Sequence, residues 1–180
     1  MYNFLQEPIM KPLAPDEKTS TVMTYTQTSM TRGDVITKET MRVSIWLRTQ
    51  GVPNYIHVHK PQVVLFGGTP PKSLAMEEIF IPTAQVIGFH LAPPAQDPPD
   101  YDATELNRIM QPVDVLMGGC IVKGKLRISS QTDMATGLDV MHVAWVSIYE
   151  AEISSPYLPQ FTMQVPMLVV NPDLVSFGLA

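Results

Sequence analysis

Apolar and polar residues alternate with a period of two along much of the chain, which is the pattern of strands with one buried face. In MRVSIWLR, Val43, Ile45 and Leu47 fall on one side and Arg42, Ser44, Trp46 and Arg48 on the other, so the alternation predicts a strand. Gly51 and Pro53 break it; NYIHVH and QVVLFGG then resume the pattern, and a proline turn at TPPK follows. Ser73 to Glu78 offers an N-cap serine followed by good helix formers and predicts a helical turn. IFIP and AQVIGFHL return to strand.

The second half repeats this rhythm. VDVLMGG and CIVKGKLRIS are strands, TDMATGLDVM is open between helical turn and strand, HVAWVSIYEAEI is a long strand, and FTMQVPMLVV and LVSFGL form a hairpin across Asn171-Pro172-Asp173. Between the halves, residues 93–100 (PPAQDPPD) hold four prolines in eight positions and read as a linker. Asp102-Ala-Thr-Glu105 then has capping-box spacing, so DATELNRIM is expected as a short helix. At the other end, residues 1–20 carry Pro8, Pro12 and Pro15 without a sustained period and read as an extended arm. TVMTYTQTSM is a weakly alternating candidate strand, with a turn expected at Arg32-Gly33-Asp34 rather than an adhesion motif.

These elements predict a mainly β protein: one or two small β-barrel or sandwich units, with short helices and the arm. The expected divisions are 1–40 for the arm and its strand, 41–92 for a first β unit, 93–112 for linker and helix, and 113–180 for a second β unit. Each half leads from a first strand (MRVSIWLR or VDVLMGG) to a second (NYIHVH or VKGKLRIS), then a variable middle and a late strand, which raises a tandem duplication.

Composition narrows the function classes. The 180 residues are 45% hydrophobic, enough for a core without metal or disulfide support, and the 17 prolines disfavour long helices. A net charge of −5 gives the whole chain no reason to seek a polyanion, so a nucleic-acid role needs a local patch. The single cysteine, Cys120, is expected as a buried apolar residue. No basic segment followed by an apolar core opens the chain and no run of about 18 apolar residues occurs, so the expectation is a cytoplasmic protein without a membrane span.

Three constellations carry candidate chemistry. Gly51 followed by His57-Val58-His59 reproduces the opening of a cupin metal motif, and two histidines at i and i+2 share one strand face. The acid expected next falls at Val63 or Val64, so His90 is the remaining candidate ligand beside His57 and His59. Lys123, Lys125 and Arg127 form a basic stripe, extended by Arg42 and Arg48, with Trp46 and Tyr55 as stacking partners. His142 lacks a defined partner, no Gly-X-Ser-X-Gly occurs, and Gly67-Gly68 and Gly118-Gly119 read as turns rather than phosphate cradles. The twelve methionines fit core filling, with Met163 and Met167 also available as adaptable contact surface.

The glycine-bearing strand Val122-Lys-Gly124-Lys-Leu126, the short middle segment and the late hairpin around Val170-Asn171-Pro172-Asp173-Leu174-Val175 resemble small bacterial Sm-like or SH3-like barrel domains. The resemblance covers mainly residues 113–180 and, less closely, 41–92. It implies a strongly bent barrel and no catalysis. The loops lack the Asp and Asn signature and the Arg-Gly pair of Sm-type RNA binding. The reading from sequence is therefore a non-enzymatic structural or protein-interaction module without a cofactor, self-associating through β edges and the arm, its partner a second copy or another protein. The alternatives are an Sm-like nucleic-acid binder on the basic stripe and a degenerate cupin-like metal protein on His57, His59 and His90.

Overall fold

The computed structural model describes residues 12–179. The first half runs β1 (Glu17–Tyr25), β2 (Ser29–Lys38), a single helical turn α1 (Val43–Trp46), β3 (Tyr55–Leu65), β4 (Lys72–Ala75), β5 (Glu78–Pro82), a 3-10 turn at Thr83–Gln85, and β6 (Gly88–Leu91). The second runs β7 (Arg108–Met117), β8 (Cys120–Ser129), α2 (Met134–Asp139), β9 (Val146–Ser155), β10 (Leu158–Val170) and β11 (Ser176–Gly178). All eleven strands join one antiparallel sheet in the order β11-β7-β8-β9-β10-β6-β1-β2-β3-β4, with β5 beside β4 along the same side of β3.

The mainly β expectation is met, but the units do not close as separate barrels. Val169 and Val170 of β10 pair with Phe89 and Gly88 of β6, so the fourth strand of the second half continues into the last strand of the first. One open sheet results. Alternation around this seam feeds two cores on opposite faces: Met23, Tyr25, Leu168 and Val170 belong to one, Val22, Phe89 and Val169 to the other. The strands here have no solvent face, which is why Val22-Met23 and Met167–Val170 are apolar at successive positions.

Several local expectations are corrected. Residues 17–38, assigned to an arm with one strand, form two strands of the sheet, and the turn lies at 26–28, where the Thr26 hydroxyl accepts from the Ser29 amide at 3.1 Å; Arg32-Gly33-Asp34 is inside β2. The first half thus starts well before residue 41, and residues 1–11 of the expected arm lie outside the described residues. MRVSIWLR is not a strand. Val43 and Leu47, four apart, are both buried on one side of α1, and the Asp97 carboxylate accepts the Ser44 amide at 2.9 Å from the proline segment. That acceptor lies far away in sequence, so local alternation could not anticipate it.

The expected helices give way to pairing as well. At DATELNRIM, Asp102 caps only a local turn by accepting from the Thr104 amide at 2.8 Å, and β7 begins at Arg108 opposite Ser129. The Ser73–Glu78 segment is drawn into β4 and β5 by the exposed side of β3. The ambiguous TDMATGLDVM contains α2, with Asp133 accepting the Thr136 amide at 2.8 Å as its N-cap.

The halves run through one order of elements, in a register different from that read in the sequence. β7 starts at 108 where β1 starts at 17, β8 at 120 against 29, α2 at 134 against 43, and β9 at 146 against 55, a shift of 91 residues each time. Gly33 and Gly124 keep the same shift. A Cβ on Gly33 would strike Val58 Cγ1 and crowd the His59 carbonyl; a Cβ on Gly124 would strike Ile148 Cγ2 and crowd the Tyr149 carbonyl. In both facing strands the next residue is left-handed, Lys60 at φ 48° and Glu150 at φ 50°, and one extra residue makes a bulge. Glycine admits the third strand at close approach while the bulge bends it.

Candidate functional site

Among the described residues the two halves meet at one seam, and the sheet ends in two outer edges. At the seam, the Asn171 amide donates to the Ile87 carbonyl at 2.9 Å and the Ile87 amide to the Tyr25 carbonyl at 2.8 Å, so the joint continues past the paired strands. At one end of the sheet β4 and β5 are outermost; at the other, β11 is held on β7 by Ser176–Gly178 pairing with Leu116–Asp114. Both ends expose large apolar side chains: Tyr55 and Phe80 at 56% and 57% on one, Leu116 and Leu179 at 56% and 62% on the other.

The proline segment fastens the halves from outside the sheet. Asp100 accepts from Arg48 of the first half at 2.7 Å and from the Ser147 and Tyr149 hydroxyls of β9 at 2.8 and 2.5 Å. Burial pushes the Asp100 pKa up, but the Tyr149 and Ser147 hydrogen bonds and the Arg48 charge together hold it below its ordinary value. Tyr149 is raised, by burial first and then by the hydrogen bond to Asp100 and its charge.

The basic residues singled out from sequence are dispersed among acids. Lys123 stands between Asp114 and Glu152 in register, Lys125 pairs with Glu150, and Arg127 pairs with Glu105 while lying 4.9 Å from the Tyr101 ring centre. Arg48 is committed to Asp100, and Trp46 packs edge-on against Phe89 with ring centres 6.2 Å apart. Arg42 is exposed at the start of α1. A polyanion reaching this stripe has to compete with the carboxylates already there.

The histidines separate. His57 and His59 stand side by side on β3 with ring centres 4.0 Å apart, and His57 stacks on Phe80 at 4.3 Å. His90 turns inward: its Nε2 lies 2.9 Å from the Tyr25 hydroxyl and its Nδ1 2.9 Å from the Leu91 carbonyl. Burial drives its pKa down to about 4, against a smaller upward pull from the Leu91 bond. Both nitrogens are occupied, so His90 does not complete the set. Glu78 does, from β5, where it pairs with His59 across the strands. The acid sought a few residues downstream comes from the next strand, a relation visible only once the β3–β5 register is known.

Cys120 is buried, and that burial pushes its thiol up to about 12, which makes it inert packing material. No helix of the described residues is long and apolar enough to cross a membrane. No protein-family model, curated protein or solved structure matches the chain.

Proposed function

We propose that this protein is a structural, non-enzymatic assembly module built from two copies of one five-strand unit, and that chains associate with one another by the strand pairing that joins the two units internally. The observation that carries the reading is the β10–β6 seam. In each half the strands run last-first-second-third-fourth across the sheet, and the seam joins a fourth strand to a last one. The corresponding strands at the ends, β4 with β5 and β11, are outermost. A second copy offering β11 to β5 repeats the joint with the same polarity.

Such a contact is heterologous, so it closes into a ring or extends as a filament instead of stopping at a two-fold dimer. The exposed apolar residues at both ends supply the burial that backbone pairing alone lacks. Residues ahead of β1 are a second contact element in this reading. The tandem bent-barrel ancestry suggested by the Sm-like resemblance belongs to the same proposal, with Gly33 and Gly124 at its two bends.

Light scattering coupled to size exclusion, together with native mass spectrometry over a wide concentration range, tests the proposal. Oligomers are expected, and Phe80→Glu, which sets a charge on the outer strand, is expected to weaken association at least about tenfold, given that like charges and buried charge oppose edge pairing. A chain that stays monomeric at every concentration removes the proposal.

A further inference from the structure

Beyond assembly, we infer that His57, His59 and Glu78 form a binding site for a divalent transition-metal ion of the zinc class. The strand geometry brings them together. Residues two apart on β3 present their side chains to one face, and the antiparallel register sets Glu78 of β5 directly opposite His59. One ligand atom from each residue lies within 4.8 Å of the other two.

The distances leave room for an ion between the groups. His57 Nε2 lies 3.3 Å from one Glu78 oxygen and His59 Nδ1 lies 3.5 Å from the other. Charge-assisted hydrogen bonds draw in to about 2.7–2.9 Å. Ligand atoms around a tetrahedral zinc with bonds of about 2.0–2.2 Å stand roughly 3.3–3.5 Å apart. His57 Nε2 is moreover shielded from solvent without a hydrogen-bond partner among the described residues. A solvent-shielded imidazole nitrogen that faces a carboxylate oxygen at 3.3 Å without hydrogen-bonding to it is suited to a cation between them.

The donor set selects the ion. Two imidazoles and one carboxylate suit zinc and its neighbours, whereas magnesium prefers an all-oxygen octahedron. The Phe80 ring stacked on His57 fixes one ligand in place, which lowers the ordering cost of binding. Three protein ligands leave one position for water or an incoming group.

The test is isothermal titration of the full chain with zinc chloride, accompanied by metal analysis after dialysis. One zinc per chain is expected, with magnesium chloride giving no heat. Glu78→Gln and His59→Ala are expected to lose at least tenfold in zinc affinity, while His142→Ala, at an exposed position elsewhere, keeps it. Far-ultraviolet circular dichroism identifies any variant that has lost its strands, and Glu78→Gln on the outer strand is the variant expected to keep them. Absence of stoichiometric zinc in the native chain, or an equal loss in His142→Ala, overturns the inference.

Discussion

Acidification from pH 6.5 to 4 tests the interior around His90 more directly than any truncation. The Leu91 carbonyl can only accept, so Nδ1 carries the proton and Nε2 accepts from the Tyr25 hydroxyl. Protonating Nε2 sets two donors against each other in a site where His90 is 2% exposed and Tyr25 1%. In the unfolded chain the same imidazole titrates near 6.5; in the fold its pKa is about 4, chiefly because burial penalises the cation. Between these values the unfolded state binds more protons, so stability rises with pH through the window and falls on acidification. At 1.36 kcal/mol per pKa unit the loss is about 3 kcal/mol on going from above pH 6.5 to about 4. That is a large fraction of the roughly 5–15 kcal/mol that holds a domain folded. Carboxylates with lowered pKa values, such as Asp100, lose their contribution as pH falls through and below the ordinary value of 3.8, mostly outside this window. Urea titrations at half-unit steps, in wild type and in His90→Phe, measure the slope. Stability that is flat from pH 6.5 to 4.5 in the wild type, or an undiminished slope in His90→Phe, refutes the assignment.

Two further perturbations address the bends and the fastening. Gly124→Ala forces a methyl group against Ile148 Cγ2 and the Tyr149 carbonyl, and Gly33→Ala does the same against Val58 Cγ1 and the His59 carbonyl. Each is expected to cost about 1–3 kcal/mol in chemical denaturation, the range for overpacking a filled interior. Asp100→Ala leaves Arg48, Ser147 and Tyr149 without their shared acceptor and is expected to destabilise by about 2–4 kcal/mol, most of it from the charge left without its partner. The same variant lowers the Tyr149 pKa in a spectrophotometric titration, because the hydrogen bond and negative charge that help burial to raise it are gone.

What was legible in the sequence was whatever local pattern decides alone. CIVKGKLRIS is β8 from first residue to last, since alternation runs from Val122 to Ile128 and turn residues flank it. HVAWVSIYEAEI and FTMQVPMLVV likewise contain most of β9 and of β10. Failures occur where a distant partner overrides the local pattern. MRVSIWLR alternates well, yet Val43 and Leu47 also satisfy a helical spacing, and Asp97 tips the balance by capping Ser44. DATELNRIM has good helix formers, but the side of β8 recruits it from Arg108 onward. The same limit governs the histidine cluster: two of its members share a strand, whereas the third arrives by cross-strand register. Charge was misleading for a related reason. Lysines at alternate positions look like a free stripe until Glu150, Glu152 and Asp114 are set beside them by pairing.

The seam also fixes a parity. Because a single chain already holds two units joined through β6 and β10, assembly by the proposed pairing would add units only in twos. A closed ring grown by repeating that step contains an even number of units, an odd-membered ring is unreachable, and covalent bridges fall at every second joint. Contacts between chains then alternate with contacts inside them, so dilution would dismantle such a ring into whole chains and never into single units.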